Sequence, residues 1–136
     1  MTPVHEELLR EFQNFSVTAP TATSLMERIS QRLHQQMTRY NWVGFTPNAR
    51  IPLNTGLCGA AASSGQTIVV HDVSKDSRYL AGSPLVKSEV VAPILVKHKL
   101  AGQLDIESYF TNTFTKPEQD FVEACATVVR AYLGKR

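Results

Sequence analysis

Cysteine is scarce in this sequence, with only Cys58 and Cys125 in 136 residues. Two thiols are too few for a disulfide scaffold or a four-ligand zinc site, and free thiols fit a reducing, cytoplasmic compartment. Long apolar runs are missing as well. The start, Met1-Thr2-Pro3-Val4-His5-Glu6-Glu7, lacks the basic-then-apolar pattern of a secretory signal, so neither export nor a membrane span is expected. An excess of charge of one sign is also absent: 14 Lys and Arg stand against 12 Asp and Glu, a net +2 with no basic run. Nucleic-acid and membrane-surface partners therefore have no electrostatic support. His5, His34, His71 and His98 are far apart in sequence and form no carboxylate–histidine pattern, so no metal and no cofactor is expected. His71-Asp72, at the end of a strand, reads as a structural hydrogen-bonding pair.

What is present suits one domain spanning residues 1–136, whose 43% hydrophobic content is enough for an ordinary core. Val4, Leu8, Leu9, Phe12 and Phe15 predict a helix that Pro20 interrupts, so residues 1–20 form an N-terminal helical extension. Leu25, Ile29, Leu33 and Met37 predict a second helix, with Ser24 and Glu27 as its capping box and Arg28, Gln31, Arg32 and Gln35 in solvent. A strand from Tyr40 to Phe45 ends at Pro47-Asn48, and Arg50 to Asn54 is extended at most. Gly56 to Gly65 reads as a short helix closed by its last glycine. A strand from Thr67 to Val70 and a turn from Ser74 to Tyr79 follow. The last helix has Thr115 as N-cap and Phe121, Val122, Cys125, Val128, Val129, Tyr132 and Leu133 on its apolar side, which makes Cys125 a core residue.

Between these lies a hairpin: Ser88 to Val96, a three-residue turn, then Leu100 to Ser108. Pro93 predicts an edge position or a bulge. Period-two alternation puts Leu100, Gly102, Leu104 and Ile106 on one face and Ala101, Gln103, Asp105 and Glu107 on the other. The acidic row is either a wet sheet face or one wall of a polar pocket. Together with Glu89 it would be crowded with like charge, so the pocket reading requires a raised pKa or a cationic partner, Arg78 or Lys87. Trp42 is either core, the commoner fate of a strand tryptophan, or a pocket wall. Helices at both ends of a run of strands predict an α+β domain with an antiparallel sheet and the helices on one face. The wide apolar faces of those helices, with Leu8, Leu9, Phe12, Leu25, Ile29, Val129 and Leu133, suggest a homodimer through the helical layer.

Six segments in order, Trp42-Val43-Gly44-Phe45, Gly56-Leu57-Cys58-Gly59-Ala60-Ala61, Val70-His71-Asp72-Val73, Asp76-Ser77-Arg78-Tyr79, Ser88-Glu89-Val90-Val91-Ala92-Pro93-Ile94 and Leu104-Asp105-Ile106-Glu107-Ser108, resemble the GAF domain. The resemblance runs from about Leu25 to Leu133 and implies the GAF fold, trimmed of a strand pair between Phe45 and Gly56. Within that family the chain is similar to the free methionine-(R)-sulfoxide reductases. That likeness implies that Glu89, Asp105 and Glu107 line a pocket and hold an ammonium group, with Glu107 replacing the usual aspartate. It also implies that Gly82 stands where those enzymes carry their attacking cysteine, while Cys58 matches a cysteine used for disulfide recycling. The signatures of cyclic-nucleotide-binding and bilin-binding members are absent.

Cys58 is read two ways, as a low-pKa thiol at a helix N-terminus or as a small residue packed under the following alanines. Three functions stay open. One is a non-catalytic sensor or signalling module that binds a small polar metabolite through Glu89, Asp105, Glu107, Gln103 and Trp42, with no output domain in the chain, so that its signal passes to a partner. The second is a divergent reductase using Cys58 with an external thiol. The third is a structural dimerisation module with a collapsed pocket.

Overall fold

The computed structural model describes residues 1–51, 55–80 and 82–135. Eight main elements follow in order: α1 (Pro3–Thr18), α2 (Ala22–Gln36), β1 (Trp42–Pro47), α3 (Gly56–Ser64), β2 (Ile68–Val70), β3 (Ser88–Val96), β4 (Lys99–Ser108) and α4 (Lys116–Gly134). The strands form one antiparallel sheet in the order β1-β4-β3-β2. Short 3-10 turns occupy Asn48–Arg50 and Val73–Lys75. Arg50 is thus helical rather than extended, and residues 52–54 of that expected extended stretch lie outside the described residues.

The sheet has two working faces because its register is set by the hairpin. Val90 pairs with Ile106 and Ala92 with Leu104, and β1 adds Val43 and Phe45 opposite Ile106 and Leu104. Paired residues share a face, so this side is apolar across three strands. It packs under α1, α2 and α4, whose Leu8, Leu9, Phe12, Leu25, Ile29, Phe121, Val122, Cys125 and Val129 join it in one buried cluster. Side chains that read as a surplus for a second copy are therefore consumed within the chain, with only Leu133 of the seven partly exposed. The opposite face carries a smaller cluster in which Val91 and Val70 meet Leu57 and Ala61 of α3, together with Val73 and Val86. The helices are consequently divided, three against one face and α3 against the other.

Polar contacts fix the helical layer. Thr2 caps α1 and exchanges hydrogen bonds with His5, whose ring is buried against Phe121 with centroids 4.2 Å apart. His5 Nε2 meets Glu118 Oε2 at 2.8 Å, and the Tyr40 hydroxyl donates to Glu118 Oε1 at 2.7 Å, tying α1, α4 and the approach to β1 together. Glu118 thus serves this network rather than a capping box, and Thr115 makes no side-chain cap. The capping box of α2 lies three residues earlier than expected, with Thr21 as N-cap and Ser24 at the third helical position. Among the side chains expected in solvent, Arg32 binds Glu11 at 3.0 Å and Arg28 lies over the Phe15 ring. Gly65 closes α3 in the left-handed conformation with φ 69°, as its sequence position predicts.

The hairpin turn is tighter than expected, with Val96 opposite Lys99 and only Lys97 and His98 between them. Both have positive φ, 51° and 67°, which matches the twist of the flanking strands. A register shift between Ile94 and Leu95 marks a bulge on the far strand, after which Ala101 packs on the helical side rather than with the acidic row. Pro93 sits on an inner strand, but beyond the point where β2 stops pairing, so its missing N–H breaks no ladder. No described helix is long and apolar enough to cross a membrane.

Two glycines sit at close approaches, and backbone makes one of them a requirement. A Cβ on Gly102 would lie 2.7 Å from the Thr46 carbonyl oxygen, whereas one on Gly44 would meet only the indole of Trp42, at 2.5 Å. Backbone cannot yield as an exposed side chain can. Gly102→Ala is expected to cost about 1–3 kcal/mol in urea unfolding, and Gly44→Ala less than about 1 kcal/mol with a change in Trp42 fluorescence.

Candidate functional site

The face under α3 holds the acidic residues because the alternation in β4 is in phase across three strands. Glu107 lies between Glu89 of β3 and Trp42 of β1, Asp105 between Val91 and Gly44, and Gln103 between Pro93 and Thr46. Glu89 is 5% exposed, Asp105 8%, and Gln103 fully buried, while Glu107 is half-buried. This is an enclosed polar surface, not a wet sheet face. Trp42 is 46% exposed, so the core reading fails: with no side chain at Gly44, the indole lies along the strand beside the acids.

α3 brings Cys58 and a backbone carbonyl into the same place. Gln103 Nε2 donates to the Cys58 carbonyl at 2.7 Å and so fastens the helix to the sheet. Cys58 Sγ donates to Asp105 Oδ2 at 3.5 Å. The segment after β2 supplies Tyr79, whose ring packs on the α3 cluster and whose hydroxyl is buried. Its backbone turn is held by Asp76, which binds the Arg78 N–H at 2.8 Å and the Arg78 guanidinium at 2.7 and 3.0 Å. Arg78 is thereby engaged away from the acids, and Lys87 is exposed, with its charge acting on Asp72. Neither is the expected cationic partner. His71 is exposed at the end of β2, and Asp72 caps the 3-10 turn through Ser74, apart from the acidic group.

The electrostatics follow from burial without compensation. Desolvation raises the pKa of Glu89, and a hydrogen bond to Asp105 and the Asp105 charge raise it further. Asp105 is raised mainly by desolvation, and Glu107 by desolvation and then by the charge of Glu89. Among the described residues, no positive charge is among the groups that shift these three. The site therefore resolves its repulsion by retaining a proton, with Glu89 as donor to Asp105, which already accepts from the Cys58 thiol. Desolvation, then the Asp105 charge, push Cys58 up to about 12, so it is a thiol at neutral pH and the low-pKa reading is overturned. The free N–H groups of α3 are outweighed by burial beside carboxylates. Tyr79 is likewise held protonated, chiefly by desolvation.

With Glu89 counted as a carboxylate, three buried polar atoms have no hydrogen-bonding partner among the described residues: Asp105 Oδ1, Gln103 Oε1 and the Tyr79 hydroxyl. Such atoms are costly unless something else satisfies them. Two are acceptors beside surplus negative charge, so the surface is suited to a group rich in N–H donors and positively charged. Tyr79 and Gly44 were not singled out as site residues by the sequence. The Asp76-Ser77-Arg78-Tyr79 run marked the turn but not the direction of the tyrosine.

Because the folded state holds a proton that the unfolded chain releases above the ordinary glutamate pKa of 4.5, stability falls as pH rises through neutrality. Glu89→Gln removes the Glu89 share of that dependence and leaves the shares of Asp105 and Glu107. Its unfolding free energy is expected to match wild type near pH 4 and exceed it at pH 8 by at least about 1 kcal/mol, read from urea titrations at both pH values.

Comparisons with known proteins agree with this architecture. Free methionine-R-sulfoxide reductase of Escherichia coli K12 is 26% identical over 134 residues, covering 87% of this chain and 81% of that one. The structure of fRMsr of Staphylococcus aureus in its reduced form superposes with a TM-score of 0.88 at 25% identity, covering 95% of this chain and 94% of that one. Free methionine-R-sulfoxide reductase from Neisseria meningitidis in complex with its substrate gives a TM-score of 0.87 at 22% identity, over 94% of this chain and 87% of that one. The sequence profile of the GAF domain matches residues 17–133, and with the sheet order and the enclosed acidic face already described, this chain belongs to the GAF domain family.

Proposed function

We propose that this GAF domain is a non-catalytic sensor module, acting in the cytoplasm, that binds a small metabolite through its ammonium group. The observation that carries this reading is the set of unpartnered buried acceptors, Asp105 Oδ1 and Gln103 Oε1, beside Glu89 and Glu107 with no cation among the described residues to balance them. An ammonium group brings both the missing N–H donors and the missing positive charge. On binding, it takes the place of the retained proton between Glu89 and Asp105. Trp42 supplies an apolar wall beside Glu107, the register partner of that tryptophan. The free methionine sulfoxide named for the reductase relatives is a small amino acid and carries such an ammonium group. The signal would leave through a partner protein or a second copy of the chain.

Turnover is disfavoured by the thiols. Gly82 offers none, and Cys58 is kept protonated by its surroundings. The reductase alternative, with Cys58 and an external thiol, draws on the position of its sulfur 3.5 Å from Asp105. The site nevertheless has room for the missing group, since a Cβ on Gly82 meets nothing within 4 Å.

Calorimetry with L-methionine is expected to show binding by the wild type, no binding of N-acetyl-L-methionine, and an affinity at least about tenfold lower in Asp105→Asn. Equal binding of the acetylated compound would sink the ammonium reading. In a coupled assay with L-methionine-(R)-sulfoxide and dithiothreitol, wild type and Cys58→Ser are expected to be inactive. Gly82→Cys is expected to gain turnover, the introduced sulfur taking the sulfoxide oxygen to give a sulfenic acid and methionine, with dithiothreitol then reducing the sulfenic acid. Turnover by the wild type that Cys58→Ser abolishes would instead establish the reductase.

A further inference from the structure

Tyr79 has no part in holding the fold that accounts for its hydroxyl. The ring packs on the cluster of Leu57, Val70, Val73, Val86 and Val91, which a phenylalanine would do as well, yet the oxygen is buried, with the Gly82 backbone N–H beside it and no acceptor for its proton among the described residues. The turn that delivers it is firmly built: Asp76 N–H donates to the Val73 carbonyl at 3.2 Å, the Tyr79 N–H to the Asp76 carbonyl at 3.3 Å, and Asp76 clamps Arg78 on both sides of the turn. The charges that act on the hydroxyl are Glu107, Glu89 and Asp105, so it overlooks the same acidic surface, and the backbone of the exposed Gly82 stands beside it. Of the three unpartnered buried atoms, it alone carries a proton to give. Asp105 Oδ1 and Gln103 Oε1 call for a donor, whereas the Tyr79 hydroxyl calls for an acceptor. That acceptor is a neutral oxygen, because an anionic one would be set against three carboxyl groups.

We propose that Tyr79 is a specificity-determining residue of the site, donating a hydrogen bond to a neutral oxygen (sulfoxide, carbonyl or amide) on a ligand whose ammonium group is held by Glu89, Asp105 and Glu107. The proposal rests on the ammonium reading above and adds a second polar group to the ligand. A site that hydrogen-bonds a substrate group rejects the analogue lacking it, because its own buried group is then left unsatisfied. Tyr79 thus separates ligands of the same shape that differ by one oxygen.

The test uses L-methionine-(R)-sulfoxide and L-methionine, which differ by that oxygen, in calorimetric titrations of wild type, Tyr79→Phe and Asp105→Asn. Wild type is expected to prefer the sulfoxide by about tenfold. Tyr79→Phe is expected to lose that preference through weaker sulfoxide binding while its methionine affinity stays within twofold of wild type. Asp105→Asn weakens both ligands together and so tests the ammonium reading separately. The unliganded Tyr79→Phe protein is expected to melt at or above the wild-type temperature, since only an unsatisfied hydroxyl is removed; a structural hydroxyl would lower it. A preference that survives in Tyr79→Phe, an equal loss of both ligands there, or a wild type that binds the two equally overturns the assignment of Tyr79 while leaving the ammonium site standing. A wild type that binds neither removes both.

Discussion

The antiparallel pairing of β3 with β4 is the constraint on which the rest of this domain depends. It fixes which residues look toward the three-helix layer and which look toward α3, and a slip of one residue would turn one strand over against the other. With β3 held in place, Leu104 and Ile106 would then lie under Cys58, and Asp105 and Glu107 would be driven into a core of leucine, isoleucine and phenylalanine. The tight Lys97-His98 turn and the adjacent bulge hold the register at one end, and the Lys87 N–H on the Ser108 carbonyl, at 2.8 Å, holds it at the other. β1 repeats the phase, so one face is apolar and the other polar across three strands.

That register forces an unfavourable arrangement on the polar face. Glu89 and Glu107 face each other directly across the ladder, where like charges repel, with Asp105 diagonal to them. Surface carboxylates would disperse the repulsion into water, but α3 and the segment bearing Tyr79 cover these. The proton retained by Glu89, the Cys58 thiol given to Asp105 and the Gln103 amide given to α3 relieve part of the cost. They leave Asp105 Oδ1, Gln103 Oε1 and the Tyr79 hydroxyl unanswered. A fold with no use for this face would more cheaply carry apolar residues there. Unmet polarity of this kind is the ground for the ammonium binding proposed above.

The same cover decides the chemistry available to Cys58. A thiol at the first turn of a helix is commonly acidified, yet here the helix end is set down beside carboxyl groups and out of water, and both act in the opposite direction. Gly82 stands at an open position next to Tyr79, where an added Cβ meets nothing within 4 Å.

The sequence by itself determined the element order, the division of β4 into an apolar and an acidic face, the apolar side of each helix and the crowding of Glu89, Asp105 and Glu107. These follow from periodicity and local chemistry, which neighbours along the chain carry in full. It also determined that such crowding would need a proton or a cation. Only the tertiary structure decided between the two, because whether Arg78 and Lys87 reach the acids depends on how the segment from Val73 to Lys87 folds back, and Asp76 captures Arg78 first. It likewise decided that Trp42 lies exposed along Gly44, that Glu118 binds His5 and Tyr40 rather than capping its own helix, and that Tyr79 turns inward over the acids. Each of these joins residues distant in sequence, and spacing along the chain carries no record of which distant group will occupy the space beside a side chain.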